Sequence, residues 1–365
     1  MLGEIRSKIH HLAGVPLRPD LAKELHQIFL TKGVMATTAI EGNTLSEEQV
    51  RLLVDGKLDL PKSQKYLQQE VQNILDLCNR EADEILAKPG EEQPSLSIDL
   101  MRRYNGGVLR DLDLEDGVVP GQLRSHSILV GKVYRGAPAR DCEFLMNRLC
   151  QWLNGSDFST SEPDLVIPFA LIKAIMAHLY LAWIHPFGDG NGRTARMVEF
   201  HILLANGVPL PAAHLLSDHY NRTRSAYYRE LAHASRSGGD VVPFIKYALQ
   251  GFLDGLREQI SRVREQQLKV TWETFVYDLF AKKVNTKTQK RRLELVLELS
   301  EHNWVAVHDI ELLNPKLARA YATAGDRMVQ RDLNSIHRMG LIERRHGRVR
   351  AAKEIIEAFL PRRTA

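Results

Sequence analysis

The sequence predicts a mainly α-helical protein with one short β-hairpin and a separate, basic C-terminal domain, and three observations carry that prediction. Apolar residues recur at three- and four-residue spacing through most of the chain, the pattern of helices with one buried face. A single interval, Ile128 to Pro138, breaks the pattern with clustered β-formers around Gly131. Residues 286–365 then change character, with short helices running into a strongly basic pair of strands.

Composition sets the outer limits. With 365 residues, 44% hydrophobic and 26% charged, the chain suits a soluble protein of two or three domains at about 100 to 200 residues each. Four segments are expected: a helical region over 1–95, a core over 96–255, a helical linker over 256–285 and a C-terminal domain over 286–365. Met1 to Gly14 lacks the apolar run of a signal peptide, so the cytoplasm is the expected compartment. Cys78, Cys142 and Cys150 form no CxxC pair and read as buried or neutral thiols.

Taken in order, Asp20 to Thr31 places Leu21, Leu25, Ile28 and Phe29 on one helical face, and Ser46 to Val54 and Tyr66 to Leu86 repeat the pattern. A loop rich in Pro, Gly and Glu, Lys88 to Pro94, marks a boundary. Helices are predicted again at Ile98 to Leu109, Glu143 to Leu153 and Val166 to Trp183. The stretch from Leu165 to Trp183 is the most apolar, but Pro168, Lys173 and His178 interrupt it, which fits a core helix better than a membrane span. Between the first two of these helices, Ile128, Leu129 and Val130, then Gly131, Val133 and Tyr134, read as a hairpin or extended flap. Thr194 to Ala205, Arg222 to Ser235 and Val242 to Arg264 complete the helical core.

The net charge of +4 conceals a division, because residues 281–365 hold 18 Lys/Arg against 10 Asp/Glu. In that tail an apolar helix at Leu293 to Leu299 precedes a polar one at Arg327 to Arg338, followed by a basic hairpin with His346-Gly347 at its tip. This order predicts a winged helix-turn-helix, with Met328, Leu333 and Ile336 anchoring a helix whose Arg327, Gln330, Arg331 and Asn334 face outward. Such a surface suggests DNA as a partner, and a winged helix can equally serve as a surface for another protein.

Chemistry concentrates in His185-Pro186-Phe187-Gly188-Asp189-Gly190-Asn191-Gly192-Arg193-Thr194-Ala195-Arg196. Gly188, Gly190 and Gly192 let successive N–H groups converge on one concavity, which suits an anion. If a helix starts here, its unpaired N–H groups and dipole favour phosphate. Arg193 and Arg196, three apart on that helix, add two guanidinium forks. Asp189, a lone carboxylate beside the phosphates, suits a hard ion such as Mg2+. His185, closing the apolar helix, hangs an imidazole over the pocket where it can take a proton from an incoming hydroxyl. No Gly-Lys-Ser/Thr follows, so this is not a Walker A loop, and the helix before it excludes a Rossmann turn.

The run from His185 to Arg196 matches the signature HPFx(D/E)GNGRxxR of the Fic family at every specified position, and the chain is identified as resembling that family over about Met35 to Gly255. The resemblance implies an all-helical core with a β-hairpin flap and transfer of AMP from ATP to a Tyr, Ser or Thr hydroxyl of a protein. It implies His185 as general base, Asp189 as Mg2+ ligand, Asn191 and the neighbouring glycines as anion hole, and Arg193 and Arg196 as phosphate contacts. Gly192 stands where the phosphotransferase branch of the family carries Lys, which favours AMP transfer. Ile128, Leu129, Val130 and Gly131 resemble the flap that pairs with an extended target segment. Tyr227 and Tyr228 resemble an aromatic pair beside adenine, although core tyrosines would look the same.

Thr37-Thr38-Ala39-Ile40-Glu41-Gly42-Asn43 resembles the (S/T)xxxE(G/N) inhibitory helix of the family, expected over about 35–43. By that resemblance Glu41 pairs with Arg196 and occupies the guanidinium needed for the γ-phosphate. The implied partners are ATP, a protein substrate, the enzyme itself through self-modification, DNA at the C-terminal domain and a second copy in a homodimer, with no membrane. Two alternatives stay open: a DNA-binding regulator carrying a Fic module, and an enzyme acting mainly to remove AMP.

Overall fold

The computed structural model describes residues 1–87, 95–130, 134–282, 286–322 and 325–357. The chain divides into two compact units, Met1–Ser261 and Arg262–Ala365, and it is mainly helical as the periodicity predicts.

In the first unit the helices run α1 (Leu2–Gly14), α2 (Pro19–Ala39), α3 (Glu47–Val54), α4 (Lys65–Leu86) and α5 (Ile98–Val108), followed by strands β1 (Leu129–Val130) and β2 (Tyr134–Arg135). Then come α6 (Cys142–Leu153), α7 (Pro163–Ile184), α8 (Asn191–Ala205), α9 (Leu210–Ala213), α10 (Leu215–Arg222) and α11 (Arg224–Arg236), with α12 (Val242–Ala281) closing the series. Leu129 pairs with Arg135 and Val130 with Tyr134, antiparallel. Gly131, assigned to the flap from sequence, lies outside the described residues, as does the predicted boundary loop at 88–94.

Local signals explain the helix ends. Pro19 opens α2 at a position where its missing N–H is harmless, with Asp20 in the first turn. The sequence predicts this helix only to Thr31, but it continues to Ala39, and within the added turns Thr37 and Thr38 satisfy their buried hydroxyls by donating to the carbonyls of Gly33 and Val34 at 3.1 and 3.2 Å. The expected inhibitory helix at 35–43 therefore ends early: Glu41 stands in the turn after α2, where Gly42 takes φ +105°. Ser46 and Gln49 form a reciprocal capping box at the start of α3. Pro209 and Pro211 set the start of the short α9, and α10 follows after His214; the periodicity placed no helix in this segment.

The central element is α8, in which every residue from Asn191 to Leu204 except Gly192 is buried. It packs on α7 and also touches α2, α4, α5 and α9. Among the described helices α7 is the one long and apolar enough to cross a membrane, yet Leu171, Ala174, Ile175, Ala177 and Leu179 are fully buried in the core. Residues from both sides of the predicted 88–94 boundary, such as Ile5, Val34 and Ile74 with Ile175 and Leu203, share one apolar cluster. Each such side chain contributes about 1.5–3 kcal/mol by leaving water. A helix held on so many sides is a rigid mount for whatever its first turn carries.

The second unit takes α12 from Arg262 onward, then α13 (Lys287–Ser300), β3 (Val305–Ala306), α14 (Pro315–Tyr321), α15 (Gly325–Arg338), β4 (Ile342–Arg345) and β5 (Arg348–Ala351). The three strands form an antiparallel sheet in the order β3-β5-β4. His346 and Gly347 join β4 to β5 with positive φ at both, the tight turn that matches strand twist. Val329, Leu333 and Ile336 are the buried face of α15; Met328, expected as an anchor, is only partly buried, and Val329 takes its place. Arg327, Gln330, Arg331 and Asn334 are exposed. Asp332, one position before Leu333, is fully buried and accepts from Nε of Arg291 and Nε of Arg292 at 2.7 Å each, and from the Tyr321 hydroxyl at 3.2 Å.

Candidate active site

α7 ends because His185 turns left-handed, at φ +50° and ψ +60°. That conformation is strained for a residue with a Cβ, so its neighbours must hold it. The loop that follows is closed by Asn191, whose side chain accepts from the Phe187 N–H at 2.9 Å and donates to the Phe187 carbonyl at 2.8 Å. With its amide bonded to both backbone groups of Phe187, Asn191 shapes the loop. Gly190 caps α8 at φ +73°, and a Cβ there would press at 3.1 Å on Asn105, Val108 and Leu109. Asn105 donates to the Asp189 carbonyl at 2.9 Å and accepts from the Gly121 N–H at 2.9 Å.

The first turn of α8 leaves backbone N–H groups without helical acceptors, and it is flanked by the two arginines. Arg196 is 2% exposed. Its Nη2 donates to Glu41 Oε1 at 2.6 Å and to the Thr37 carbonyl at 2.9 Å, while Nε and Nη1 are buried with no partner. Burial raises the Glu41 carboxyl, but the charge of Arg196, its hydrogen bond and the more distant Arg193 outweigh it and hold the group below the ordinary carboxylate range. The Glu41 side chain keeps 35% of its surface exposed. Gly192 explains how the carboxylate comes so close, because a Cβ there would lie 2.1 Å from Glu41 Oε1 and 3.1 Å from Arg196 Nη1. The absent side chain at 192 is thus the space in which Glu41 sits.

Arg193 is restrained as well. Its guanidinium lies 3.4 Å from Glu70 and 3.3 Å from Asp189. Glu70 also accepts from Asn43 Nδ2 at 2.8 Å, so one α4 carboxylate links the turn after Glu41 to the second arginine. Asp189 is half exposed and accepts the Gly190 N–H. Burial lowers the His185 imidazole below its usual value, with the Arg124 charge acting the same way, while a hydrogen bond to Ala182 and the Glu41 and Asp189 carboxylates oppose it. The ring is therefore neutral near pH 7 and free to accept a proton.

The remaining sequence-predicted residues are placed less directly. Gly188 lies against Val118, 3.1 Å from where a Cβ would project. Tyr227 is buried, with its hydroxyl 2.8 Å from His178 Nε2, so it belongs to the core and offers little ring surface to a nucleotide. Tyr228 is 46% exposed, and its hydroxyl donates to the Ile40 carbonyl at 3.4 Å, beside Glu41. On the flap Leu129 is exposed, and the Tyr134 hydroxyl anchors β2 by donating to the Trp183 carbonyl at 2.7 Å. Glu70, Asn105 and Arg124 were not singled out from the sequence. Each works through contacts 27 or more residues away in the chain or through backbone carbonyls, and no local pattern marks such roles.

A helical core mounts a glycine-rich, doubly basic loop at the start of a buried helix, with a neutral histidine closing the preceding helix and a two-stranded flap in the same unit, an arrangement suited to holding an anion. Residues 96–203 match the model of the Fic/DOC family, so the chain carries a Fic/DOC-family domain. It is similar to the protein adenylyltransferase fic-1 of Caenorhabditis elegans, 30% identical over 250 residues covering 67% of this chain and 43% of that protein. The protein adenylyltransferase Fic of Nematostella vectensis is 30% identical over 247 residues, 68% of this chain and 52% of the relative. The chain thus spans about half the length of the curated relatives it matches. A Fic family protein from Desulfovibrio desulfuricans shares the fold, with a TM-score of 0.58 at 24% identity over 96% of this chain and 94% of that one.

Proposed function

We propose that the chain is an autoinhibited protein adenylyltransferase. The observation that carries the reading is the pairing of a neutral His185 above the α8 N-terminus with Arg196, whose Nε and Nη1 are buried without partners. Two buried N–H donors beside free helix amides are matched by an anion with several oxygens. In the reaction, the target hydroxyl gives its proton to His185, its oxygen bonds to the α-phosphorus of ATP, and the bond from that phosphorus to the β-bridging oxygen breaks, releasing pyrophosphate. The first-turn amides of α8 and the two arginines hold the phosphate chain, and the Leu129–Val130 edge aligns the target main chain.

Asp189 suits Mg2+. Its carboxylate is half exposed, and among the described residues no group of three or more His, Cys, Asp or Glu is placed to hold a metal. An ion at Asp189 would take its other oxygens from phosphate and water, the usual habit of Mg2+. When bound, it neutralises charge on the phosphates; Asp189 anchors it.

Glu41 sets the resting rate. Its carboxylate occupies Arg196 and the space over Gly192, so ATP must displace it or bind out of line. The test is incubation of the Glu41→Gly variant with labelled ATP and Mg2+: incorporation of AMP into protein well above wild type is expected, and equal, background-level incorporation contradicts the reading.

A second reading concerns the second unit, where Arg327, Arg331 and Arg338 on α15 and Arg345 and Arg348 on the hairpin are exposed. That basic helix-and-wing surface supports nucleic-acid binding. Duplex DNA affinity of the whole chain should fall steeply with salt, and a flat salt response contradicts phosphate contact.

A further inference from the structure

Arg124 is 5% exposed, and among the described residues it pairs with no carboxylate. Its charge is dispersed over main-chain carbonyls instead. Nε donates to the His185 carbonyl at 2.7 Å and Nη1 to that of His126 at 2.6 Å. Nη2 donates to the carbonyls of Ala137 and, at 3.4 Å, Ile184. The Arg124 backbone N–H donates to the Pro186 carbonyl at 2.9 Å, and the Ala137 N–H to that of Ile184 at 3.3 Å. One side chain therefore joins three separate pieces of chain: the end of α7 with its left-handed His185, the segment entering the flap at His126, and the segment leaving it at Ala137.

A buried guanidinium needs strong acceptors, yet carbonyls anywhere in the core would satisfy that need. These carbonyls belong to the residue that takes the proton and to both feet of the strand pair that aligns the target. Gly136 fits the same arrangement, since a Cβ there would lie 3.1 Å from Arg124 Nη2 and 3.1 Å from His185 Cβ.

We infer that Arg124 is a positioning residue for the transfer reaction: its guanidinium fixes the left-handed conformation of His185 and sets the two feet of the flap at a defined place relative to that imidazole. The inference rests on the adenylyl-transfer reading for its kinetic consequence, but its geometric content is independent of it. Lysine is a poor substitute, because an ammonium is a single point and lacks the planar fork that reaches three segments at once. Phosphate binding is untouched by the change, since Arg193, Arg196 and the α8 amides are held by other contacts.

The test places Arg124→Lys and, separately, Gly136→Ala in the Glu41→Gly background. The Lys variant should lose about 10- to 100-fold in kcat, the penalty of misplacing a catalytic group by about 1 Å, with KM for ATP within about threefold. Gly136→Ala keeps the guanidinium but presses on it, and should show a smaller loss with the same split. In NMR spectra the His185 ring signal, assigned by its absence in His185→Ala, should move in Arg124→Lys. The signal of His201, which is buried against Glu81 at 2.9 Å, should stay. A kcat within twofold of the background in both variants overturns the inference, as does a loss confined to KM or a His185 signal that does not move. If the Glu41→Gly protein transfers no AMP, the transfer reading fails and the NMR comparison alone decides: a shifted His185 beside a static His201 supports positioning, and no shift overturns it.

Discussion

Replacing Glu41 by glycine should raise the rate of AMP transfer by roughly 10- to 150-fold. The magnitude follows from what the pairing consists of. Arg196 Nη2 makes two hydrogen bonds, to the Glu41 carboxylate at 2.6 Å and to the Thr37 carbonyl at 2.9 Å, and only the first is lost. A hydrogen bond between charged groups is worth about 1.5–3 kcal/mol. At about 1.4 kcal/mol per factor of ten, its removal shifts the balance between the occupied and free arginine by the stated range. Departure of the carboxylate also clears the space above Gly192, so the gain should include tighter ATP binding. The assay is the initial rate of label incorporation from ATP into protein, with calorimetric ATP titration alongside. Glu41→Gln, which keeps the volume but not the charge, should fall between wild type and Glu41→Gly. If Glu41→Gly incorporates label within twofold of wild type, the ion pair does not govern activity and the reasoning fails.

Five further outcomes are expected. His185→Ala in the activated background should bind ATP within about threefold of the parent by calorimetry and lose transfer by about 100- to 10,000-fold; a retained rate removes His185 from the chemistry. Because burial lowers the imidazole pKa, kcat/KM should hold through neutral pH and decline only as pH falls below about 6.5. Glu41 is lowered too, so its pairing is complete above the ordinary carboxylate range and is lost as pH falls through the depressed value; the ratio of Glu41→Gly to wild-type rates should therefore be constant over about pH 6 to 8. Gly192→Ala forces Glu41 away, so adding Glu41→Gly to it should give little further gain, whereas two full, additive gains contradict the shared space. Asp332→Ala leaves Arg291 and Arg292 without their buried partner and should destabilise the second unit by about 3–5 kcal/mol in denaturant unfolding; a shift below about 1 kcal/mol contradicts that placement.

The shape of the loop before α8 was legible because its logic is local. Glycines, a carboxylate, two arginines and a histidine lie within one turn and one helix start, so sequence spacing translates directly into space. The helical class was legible for the same reason, through periodicity. Glu41 was reached through resemblance alone, since nothing in its own neighbourhood points to Arg196, and its position in a turn beyond α2 follows from a helix that runs further than its periodic stretch. Arg124, Asn105 and Glu70 were missed because they act across the fold, the first two on main-chain atoms and Glu70 on the side chains of Asn43 and Arg193. Asp332 was missed for a different reason: a charged residue in a polar-looking helix reads as solvated, and two arginines from α13 together with the Tyr321 hydroxyl make its burial tolerable. Tyr227 looked equally like an adenine contact and a core residue, and its bond to buried His178 puts it in the core.

The central claim is that this site moves the α-phosphate of ATP to a protein hydroxyl. It is tested most directly by giving the Glu41→Gly protein, with Mg2+ and a cell lysate, ATP labelled in parallel at the α- or the γ-phosphate, with His185→Ala as control. Protein-bound label is expected from the α-position only, and none in the control. Label from the γ-position would mean phosphoryl transfer and would contradict it.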